Sequence, residues 1–123
     1  MKMMYTTIGT NNMDKAIKFY DALFEWVTIE KWIPDGRVVV YKGEGFLFGI
    51  AEPFDEKQAT PGNGAMLGFM MDSVSQITEI YNLAITLGAL SEGSPGPRSK
   101  GPAAYVRDLD GNKITAKCIS NKK

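Results

Sequence analysis

Few side chains in this sequence could carry chemistry, because the chain has no histidine and only one cysteine, Cys118. Without histidine, neither a Ser-His-Asp triad nor a Cys-His pair can form. Alternation along the predicted last strand places Cys118 on the helix-covered face with Ile114 and Ala116, as a small buried apolar residue rather than a reactive thiol. A single cysteine also excludes a disulfide within the chain, which is typical of a reducing cytoplasm.

Tyrosine and basic side chains are the remaining candidates for a site. Tyr5 could exchange a proton only if its pKa, normally ~10, were lowered, and no base or cation lies near it in the sequence. A hydrogen-bonding or stacking role is therefore favoured for Tyr5, and the catalytic residues stay unassigned. Arg98 and Lys100 lie in a segment dense in glycine and proline, residues 93–102, which either closes over an acidic ligand or is a solvated surface loop.

The carboxylates are spaced like turn formers and surface residues rather than like a metal site. Asp108 and Asp110 precede Gly111, which is the composition of a tight turn. Glu30 and Glu52 are isolated on or near strands, where a carboxylate is usually solvated. These residues predict neither a metal ion nor another cofactor.

Charge and hydropathy exclude two classes of partner. Fourteen basic and fourteen acidic residues give a formal net charge of zero. That balance lacks the positive excess that dominates non-specific nucleic-acid binding, so no nucleic-acid partner is expected. No apolar run approaches the ~18 to 20 residues of a membrane span, and the first residues lack a signal-peptide core. We therefore expect a cytoplasmic domain with no membrane partner.

The elements that must position these residues begin with a strand and a helix. Residues 3–9 are rich in β-branched and aromatic types and predict a strand. Asn11 or Asn12 can cap a helix whose apolar residues recur at three- and four-residue steps. Its apolar stripe comprises Met13, Ala16, Ile17, Tyr20, Leu23 and Phe24. Three short strands are expected next, around residues 26–33, 37–42 and 46–51.

A polar connector, residues 53–64, leads to a second set of elements in the same order. Residues 65–71 predict a strand, and Ser73 and Gln76 have the spacing of a capping box. The helix that follows would end at Gly88 in a left-handed cap. Its apolar stripe comprises Val74, Ile77, Ile80, Tyr81, Ala84 and Leu87. Three more strands are expected, around residues 89–93, 103–108 and 112–119.

The two sets of elements superpose by simple counting. Tyr20 and Tyr81 lie 61 positions apart, as do Met13 and Val74. The offset grows to about 66 by the last strand, because the loop of residues 92–102 is longer than its counterpart. This order predicts a single α+β domain of two similar modules, residues 1–52 and 65–120.

With this order and spacing, the sequence resembles the vicinal oxygen chelate superfamily, which includes glyoxalase I, the bleomycin-resistance proteins and extradiol dioxygenases. Residues 5–20 are similar to the family's opening strand and helix, residues 61–69 to the start of its second module, and residues 105–114 to its closing hairpin. The resemblance implies two tandem βαβββ modules whose curved mixed sheets form a cleft. It also implies a homodimer, since family members commonly pair.

Metal-using members of this family hold their ion with four side chains, typically His, Glu or Gln, from the first and last strands of the modules. The resemblance places these positions on Tyr5, Gly49, Met66 and Thr115. These residues offer, in that order, a phenol, a hydrogen atom, a thioether and a neutral hydroxyl. All four are poor ligands for a divalent transition metal. The resemblance therefore implies no metal site in this chain.

Side chains alternate between the two faces of a strand, so residues two positions away from these four are also expected to face the cleft. Gly68 and Lys113 are among them. Lys117 would hold a ligand carboxylate or lie at the surface of a sheet edge. We expect a glyoxalase- and bleomycin-resistance-like protein that binds a small hydrophobic or aromatic molecule without metal. The alternative is an enzyme related to the lyases or dioxygenases that works without the usual metal or with an unidentified one. The predicted cleft residues are Tyr5, Thr7, Gly49, Met66, Met70, Arg98, Thr115 and Lys117.

Overall fold

A computed structural model describes residues 1–119, so residue 120, the predicted end of the second module, lies outside the described residues. The chain divides into two units, Met1–Pro61 and Gly62–Lys123. Each unit runs in the order strand, helix and three strands, and its four strands form one mixed sheet that does not close on itself. This is the α+β fold of two repeated modules that the sequence predicts. No helix in the described part of the chain is long and apolar enough to cross a membrane.

The first unit contains a sheet of strand order β1-β4-β3-β2, in which β1 is parallel to β4 and the other pairs are antiparallel. Its elements are β1 (Thr6–Gly9), α1 (Met13–Leu23), β2 (Glu30–Trp32), β3 (Val38–Gly43) and β4 (Phe46–Ala51).

Helix α1 forms where the sequence predicts it, with Asn12 as its N-cap. The side chain of Asn12 accepts a hydrogen bond of 3.1 Å from the Lys15 amide. Aromatic packing against the sheet holds the helix, and the rings of Tyr20 and Phe48 lie 5.1 Å apart edge to face. The predicted stripe left out Phe19, which is buried, and two of its members, Met13 and Ile17, are only half-buried. The buried helix residues are Ala16, Phe19, Tyr20, Leu23 and, at the C-cap, Phe24.

Two predicted strands of this unit are shorter than expected. The first begins at Thr6 rather than at residue 3. The second was predicted over residues 26–33 but spans only Glu30–Trp32. Its predicted first residues instead continue the turn that ends α1, where the Val27 amide bonds the Phe24 carbonyl at 2.9 Å.

A buried tyrosine links the sheet of the first unit to its helix. Tyr41 is 1% exposed, and its hydroxyl donates a hydrogen bond of 2.8 Å to Asp21 on α1. Lys31 on β2 bonds the other carboxylate oxygen at 2.9 Å. Burial, and then the hydrogen bond and charge of Asp21, raise the pKa of Tyr41 far above its usual value.

The predicted connector lies partly within the first unit. Asn11 bonds both backbone groups of Ala59: its amide nitrogen donates to the Ala59 carbonyl at 2.9 Å, and its oxygen accepts from the Ala59 amide at 2.7 Å. Asn11 was considered as a helix cap, but the structure gives that role to Asn12.

The second unit repeats the arrangement, with strand order β5-β8-β7-β6 and β5 parallel to β8. Its elements are β5 (Leu67–Met70), α2 (Val74–Thr86), β6 (Leu90–Gly96), β7 (Ala103–Arg107) and β8 (Lys113–Lys117).

Both ends of α2 match the sequence prediction. At the N-terminus, the Ser73 hydroxyl accepts a bond of 3.2 Å from the Gln76 amide. At the C-terminus, Gly88 has a φ of +107°, and its amide bonds the Ile85 carbonyl at 3.0 Å. The next amide, of Ala89, bonds the Ala84 carbonyl at 2.9 Å, which completes a Schellman motif. The glycine is thus needed for its left-handed backbone.

The hairpin of β7 and β8 turns on a buried carboxylate. Asp108 is 5% exposed, and its Oδ1 accepts from the amides of Asp110 and Asn112, both at 2.9 Å. This confirms the predicted turn-forming role of Asp108. After the hairpin, Cys118 is buried and its thiol donates to the Met71 carbonyl at 3.4 Å, as expected for the helix-covered face.

Strand β6 is longer than predicted. It continues to Gly96 instead of ending at residue 93, with two irregularities in its pairing to β7. The first part of the glycine- and proline-rich segment therefore belongs to the sheet. Only residues 97–102 form the connection to β7.

Candidate functional site

Each sheet is covered on one face by the helix of its own unit, and we call the opposite face the helix-free face. In the second unit, strand register places one residue from each strand in a single row across this face. The row is Gly68, Thr115, Tyr105 and Gly93. Because Gly68 and Gly93 have no side chains, we infer a depression in this row beside the Tyr105 ring, about one aromatic ring wide because neighbouring strands lie ~4.8 Å apart.

Two lysines and an edge methionine border this depression. Lys113 and Lys117 lie two residues on either side of Thr115 on β8, so they share its face. The Lys113 Nζ atom is 5.5 Å from the centroid of the Tyr105 ring. Met70 on β5 is paired with Lys117 and is 70% exposed. We call the site formed by Gly68, Tyr105, Lys113, Thr115 and Lys117 the trough.

The floor of the trough is apolar, although it contains a threonine. Thr115 is 3% exposed, and its hydroxyl donates a hydrogen bond of 2.9 Å to the Ala104 carbonyl on β7. Its methyl group points towards Gly68, where a Cβ atom would lie 3.3 Å away. The hydroxyl is therefore used within the sheet, and the methyl group is turned to the floor.

Arg98 lies flat on the same face. Its guanidinium carbon is 5.4 Å from the Tyr105 ring centroid, within cation–π distance. Its Nη1 and Nη2 groups donate to the carbonyls of Pro97 and Ser94 at 3.1 and 3.0 Å. A Cβ atom at Gly93 would lie 3.1 Å from the guanidinium, so the glycine makes this close approach possible.

The cations of this face differ in whether they are paired, because Arg107 shares the face of Tyr105 and Lys113 and is held in an ion pair. Within residues 1–119, ion pairs join Lys31 to Asp21 at 2.9 Å and Arg107 to Glu92 at 2.6 Å. Neither pair includes Arg98 or a trough lysine. The helix-free face of the second unit therefore carries three cations that form no ion pair among the described residues.

Glu92 is held by Arg107. The hydrogen bond and charge of Arg107 hold the pKa of the Glu92 carboxyl below its usual value, and the charge of Lys113 lowers it further. Arg107 also donates to the Gly111 carbonyl at 3.0 Å. The Glu92 carboxylate is therefore held by Arg107 near the end of the β7–β8 hairpin.

The helix-free face of the first unit has a different character. The equivalent row there is Thr7, Gly49, Val40 and Trp32. It is mainly apolar, and the Lys42 Nζ lies 5.6 Å from the Trp32 ring centroid. A Cβ atom at Gly49 would lie only 2.7 Å from the Thr7 methyl, so this position accepts no side chain without a shift.

The predicted cleft residues fall into two groups. Four of them share the helix-free face of the second unit, and two lie together in the first. Tyr5 and Met66 precede β1 and β5 rather than lying in them, and they are 61% and 54% exposed. The group in the second unit is Met70, Arg98, Thr115 and Lys117, and the group in the first is Thr7 and Gly49.

Tyr105 is a site residue that the sequence reasoning missed. Its strand was predicted, but alternation alone gives two possible faces. Pairing the strands across the predicted turn at residues 109–111 would have placed Tyr105 opposite Thr115, as the structure does.

The four positions that the resemblance assigns to metal ligands carry residues that are poor donors for a metal ion. Gly49 has no side chain, the Thr115 hydroxyl is donated to a carbonyl, and Tyr5 and Met66 are exposed residues outside the strands. In the described part of the chain, no group of three or more His, Cys, Asp or Glu side chains could hold a metal ion. These donors do not fit a divalent transition metal.

A second concave surface lies in the first unit, next to the connector. It is an open groove of about 490 Å³. Arg37 borders it, donating to the Glu52 carbonyl at 2.8 Å, and its guanidinium lies 5.5 Å from the Phe54 ring. The groove mixes both signs of charge, because its charged lining residues are Arg37, Glu52, Glu56 and Lys57.

Comparison with known proteins supplies a family and several structural neighbours. The sequence profile described as the Glyoxalase/Bleomycin resistance protein/Dioxygenase superfamily matches residues 2–115. A glyoxalase/bleomycin resistance protein from Albidiferax ferrireducens T118 is 35% identical, with a TM-score of 0.86 over 94% of this chain and 97% of that chain. No curated protein has significant sequence similarity to the chain.

More distant neighbours share the fold. A lactoylglutathione lyase from Agrobacterium tumefaciens is 18% identical, with a TM-score of 0.73 over 95% of this chain and 92% of that chain. A mutant of the fosfomycin resistance protein FosX from Listeria monocytogenes, complexed with Mn(II) and 1S,2S-dihydroxypropylphosphonic acid, is 16% identical. Its TM-score is 0.71 over 94% of this chain and 88% of that chain.

Proposed function

Because this chain belongs to the Glyoxalase/Bleomycin resistance protein/Dioxygenase superfamily, we propose that it binds a small hydrophobic or aromatic molecule in the trough without a divalent transition metal. The observation that carries this proposal is the row Gly68, Thr115 and Tyr105. It combines an exposed position without a side chain and an aromatic ring on one face of one sheet, with the almost buried Thr115 between them.

The dimensions and chemistry of the trough favour an aromatic ring. Aromatic pairs prefer centroid separations of ~4.5 to 7 Å, so a ring lying over Gly68 and Thr115 would be in reach of the Tyr105 ring. The floor offers a methyl group and backbone, and Met70 adds an exposed thioether at the edge strand. Thioethers adapt to varied apolar shapes and make favourable contacts with aromatic rings.

The metal-free part of the proposal rests on donor chemistry. Thr115 is the trough residue at a position that the resemblance assigns to a metal ligand, and its hydroxyl already donates to Ala104. A neutral hydroxyl engaged in this way is a poor ligand for zinc, nickel or iron. Binding would therefore rest on apolar contact and on the charged groups that border the trough.

A titration of the full chain tests the proposal. The probe is 2-naphthamide, a neutral two-ring molecule, and the readout is the change in backbone amide chemical shifts. We expect dose-dependent shifts centred on Gly68, Tyr105 and Thr115. The variant Gly68→Val fills the floor and is expected to weaken binding at least about tenfold. The control Thr78→Val adds the same side chain on an exposed position of α2 and should leave binding unchanged.

Two results would contradict the proposal. One is equal binding of 2-naphthamide to the native chain and to Gly68→Val, which would remove the trough from the site. The other is a large rise in melting temperature with zinc, nickel or manganese alone, since a ligand that binds only the native state stabilises it. That result would restore a metal-dependent function.

A further inference from the structure

We propose that the natural ligand of the trough carries an oxyanion, a carboxylate or a phosphonate, joined to an apolar or aromatic body. This inference rests on the proposed function and deepens it by naming the class of ligand. It is carried by Arg98 and Lys113, whose charged groups lie 5.4 and 5.5 Å from the Tyr105 ring centroid, and by Lys117, which alternation places on the same face of β8.

The clustering of these cations is the first argument. The chain has a formal net charge of zero, with 14 basic and 14 acidic residues. Two other cations, Lys31 and Arg107, form ion pairs. Arg98, Lys113 and Lys117 form no ion pair within residues 1–119; the charge of Lys113 acts on Glu92, but that carboxylate is bound by Arg107. Like charges concentrated on one surface repel each other and attract an anion to that surface.

The way in which Arg98 is held is the second argument. Its guanidinium is fixed by two carbonyl acceptors and by the Tyr105 ring, and it lies against the backbone of β6. Cβ atoms at Gly93 and Gly96 would lie 3.1 and 3.2 Å from its nitrogens. A guanidinium has five N–H groups, and the two carbonyls use two of them. The remaining donors form part of a planar fork that suits an oxyanion, and little entropy is lost because the group is already ordered.

The position of the cations relative to the apolar floor gives the orientation of the ligand. Arg98 lies on the β6 and β7 side of the trough, over the Tyr105 ring. Gly68 and the exposed Met70 lie on the opposite side, at the edge strand β5. A ligand with its oxyanion between Arg98 and the lysines would place its apolar body over Gly68 and towards Met70. The site thus selects a molecule that is charged at one end only.

Probes that share one ring system separate the contribution of the charge to binding from the contribution of the apolar body. The native chain is titrated with 2-naphthoate, 2-naphthylphosphonate and neutral 2-naphthamide. We expect the two anions to bind at least about fivefold more tightly than the amide, because charge-assisted hydrogen bonds are stronger than neutral ones. The preference between naphthoate and naphthylphosphonate then identifies the oxyanion. Raising the salt concentration should reduce the advantage of both anions.

Charge-removing variants locate the anion. Arg98→Gln, Lys113→Gln and Lys117→Gln are each expected to weaken naphthoate binding about three- to tenfold and to leave naphthamide binding unchanged. Lys42→Gln is the matched control, because this lysine lies near an aromatic ring on the helix-free face of the other unit. A circular-dichroism melt of each variant establishes that it is folded.

The outcomes of this experiment are distinct. If naphthamide binds as tightly as both anions, the oxyanion inference is overturned while the proposed function stands. If the anions bind better but Lys42→Gln weakens them as much as the three trough variants do, the assigned position of the anion is wrong. If none of the three probes shifts a trough resonance, the proposed function fails, and the inference fails with it.

Discussion

The guanidinium of Arg98 lies 5.4 Å from the centroid of the Tyr105 ring and rests on a strand that has no side chain at the points of contact. The contact depends on the glycines of β6 as much as on the ring. A side chain at either glycine would push the guanidinium away from the face of the sheet. The position of Arg98 can therefore be tested without changing Arg98 itself.

Gly93→Ala is expected to reduce naphthoate affinity about threefold or more and to leave naphthamide affinity unchanged. The added Cβ would lie 3.1 Å from a guanidinium nitrogen and 3.2 Å from the Tyr105 ring, so Arg98 must shift. Isothermal titration calorimetry measures both affinities. Ser94→Ala, which keeps the backbone carbonyl that Arg98 uses, is the control and should behave like the native chain.

Gly49→Ala should destabilise the protein by about 1 to 3 kcal/mol, because its Cβ would lie 2.7 Å from the Thr7 methyl. Gly68→Ala should reduce the stability by less, since its Cβ atom would lie 3.3 Å from the Thr115 methyl. Urea unfolding measures both changes. The double variant Thr7→Ala/Gly49→Ala removes the clashing methyl and should recover most of the loss. Equal stability of Gly49→Ala and Gly68→Ala would show that the two glycines do not differ in this way.

Tyr41 should make the native chain sensitive to alkali. Its pKa is raised in the folded state above the ordinary value of 10.0, so the unfolded chain loses this proton first as the pH rises. The stability that Tyr41 contributes is therefore fully present below about pH 10 and falls above it, by roughly 1.4 kcal/mol per pH unit while the folded tyrosine stays protonated. Tyr41→Phe removes this dependence.

Two measurements check the behaviour of Tyr41. Urea unfolding between pH 9 and 11 should show a steeper loss of stability for the native chain than for Tyr41→Phe. Absorbance at 295 nm should show that the native chain has one more tyrosine than Tyr41→Phe that ionises only when the protein unfolds. Parallel pH profiles of the two proteins would refute the role of burial and Asp21.

Asp108→Ala should destabilise the β7–β8 hairpin by about 2 to 3 kcal/mol. The substitution removes the acceptor of two backbone amides, and the site is 5% exposed, so water does not readily replace it. Thermal unfolding followed by circular dichroism measures the loss. Asp110→Ala is the control, because it keeps the Asp110 backbone amide that donates to Asp108. If Asp110→Ala destabilised the protein as much as Asp108→Ala does, the loss of stability could not be assigned to the bonds that Asp108 accepts.

Homodimer formation is a further prediction. Family resemblance favours pairing, and the first residues expose apolar groups, with Met3 89% and Met4 74% exposed. Sedimentation equilibrium at micromolar concentration should give about twice the chain mass of 13.5 kDa. Replacing Met3 and Met4 by serine should weaken the association. A native chain that sediments as a single 13.5 kDa species would contradict the prediction.

Local signals in the sequence predicted the helices and their caps well. Ser73 and Gly88 act over a few residues, and the structure confirms both of them. The Gln76 side chain accepts from the Asp72 amide at 2.8 Å instead of from the Ser73 amide that a capping box uses. The extent of β2 was not predictable in the same way, because residues with strand propensity can also continue a helix-ending turn. That choice depends on packing against α1, where Phe24 is 3% exposed.

The site was predictable only in part, because a sheet brings together residues that are distant in sequence. Alternation correctly placed Thr115 with its two lysine neighbours on one face. Tyr105 was missed because its face depends on the register of a hairpin. The direction of the Thr115 hydroxyl depends on a carbonyl of the neighbouring strand, and no pattern in the sequence encodes that.

The contact between Thr7 and Gly49 also bears on how this chain could diverge towards or away from its metal-using relatives. The resemblance assigns position 49 to a ligand of the metal-using members, and a Cβ atom there would meet the Thr7 methyl on the adjacent strand. An imidazole or carboxylate at position 49 therefore requires that the Thr7 side chain moves or is shortened. A change of Thr7 to alanine would remove this clash, so it would make the later gain of a ligand at position 49 less costly.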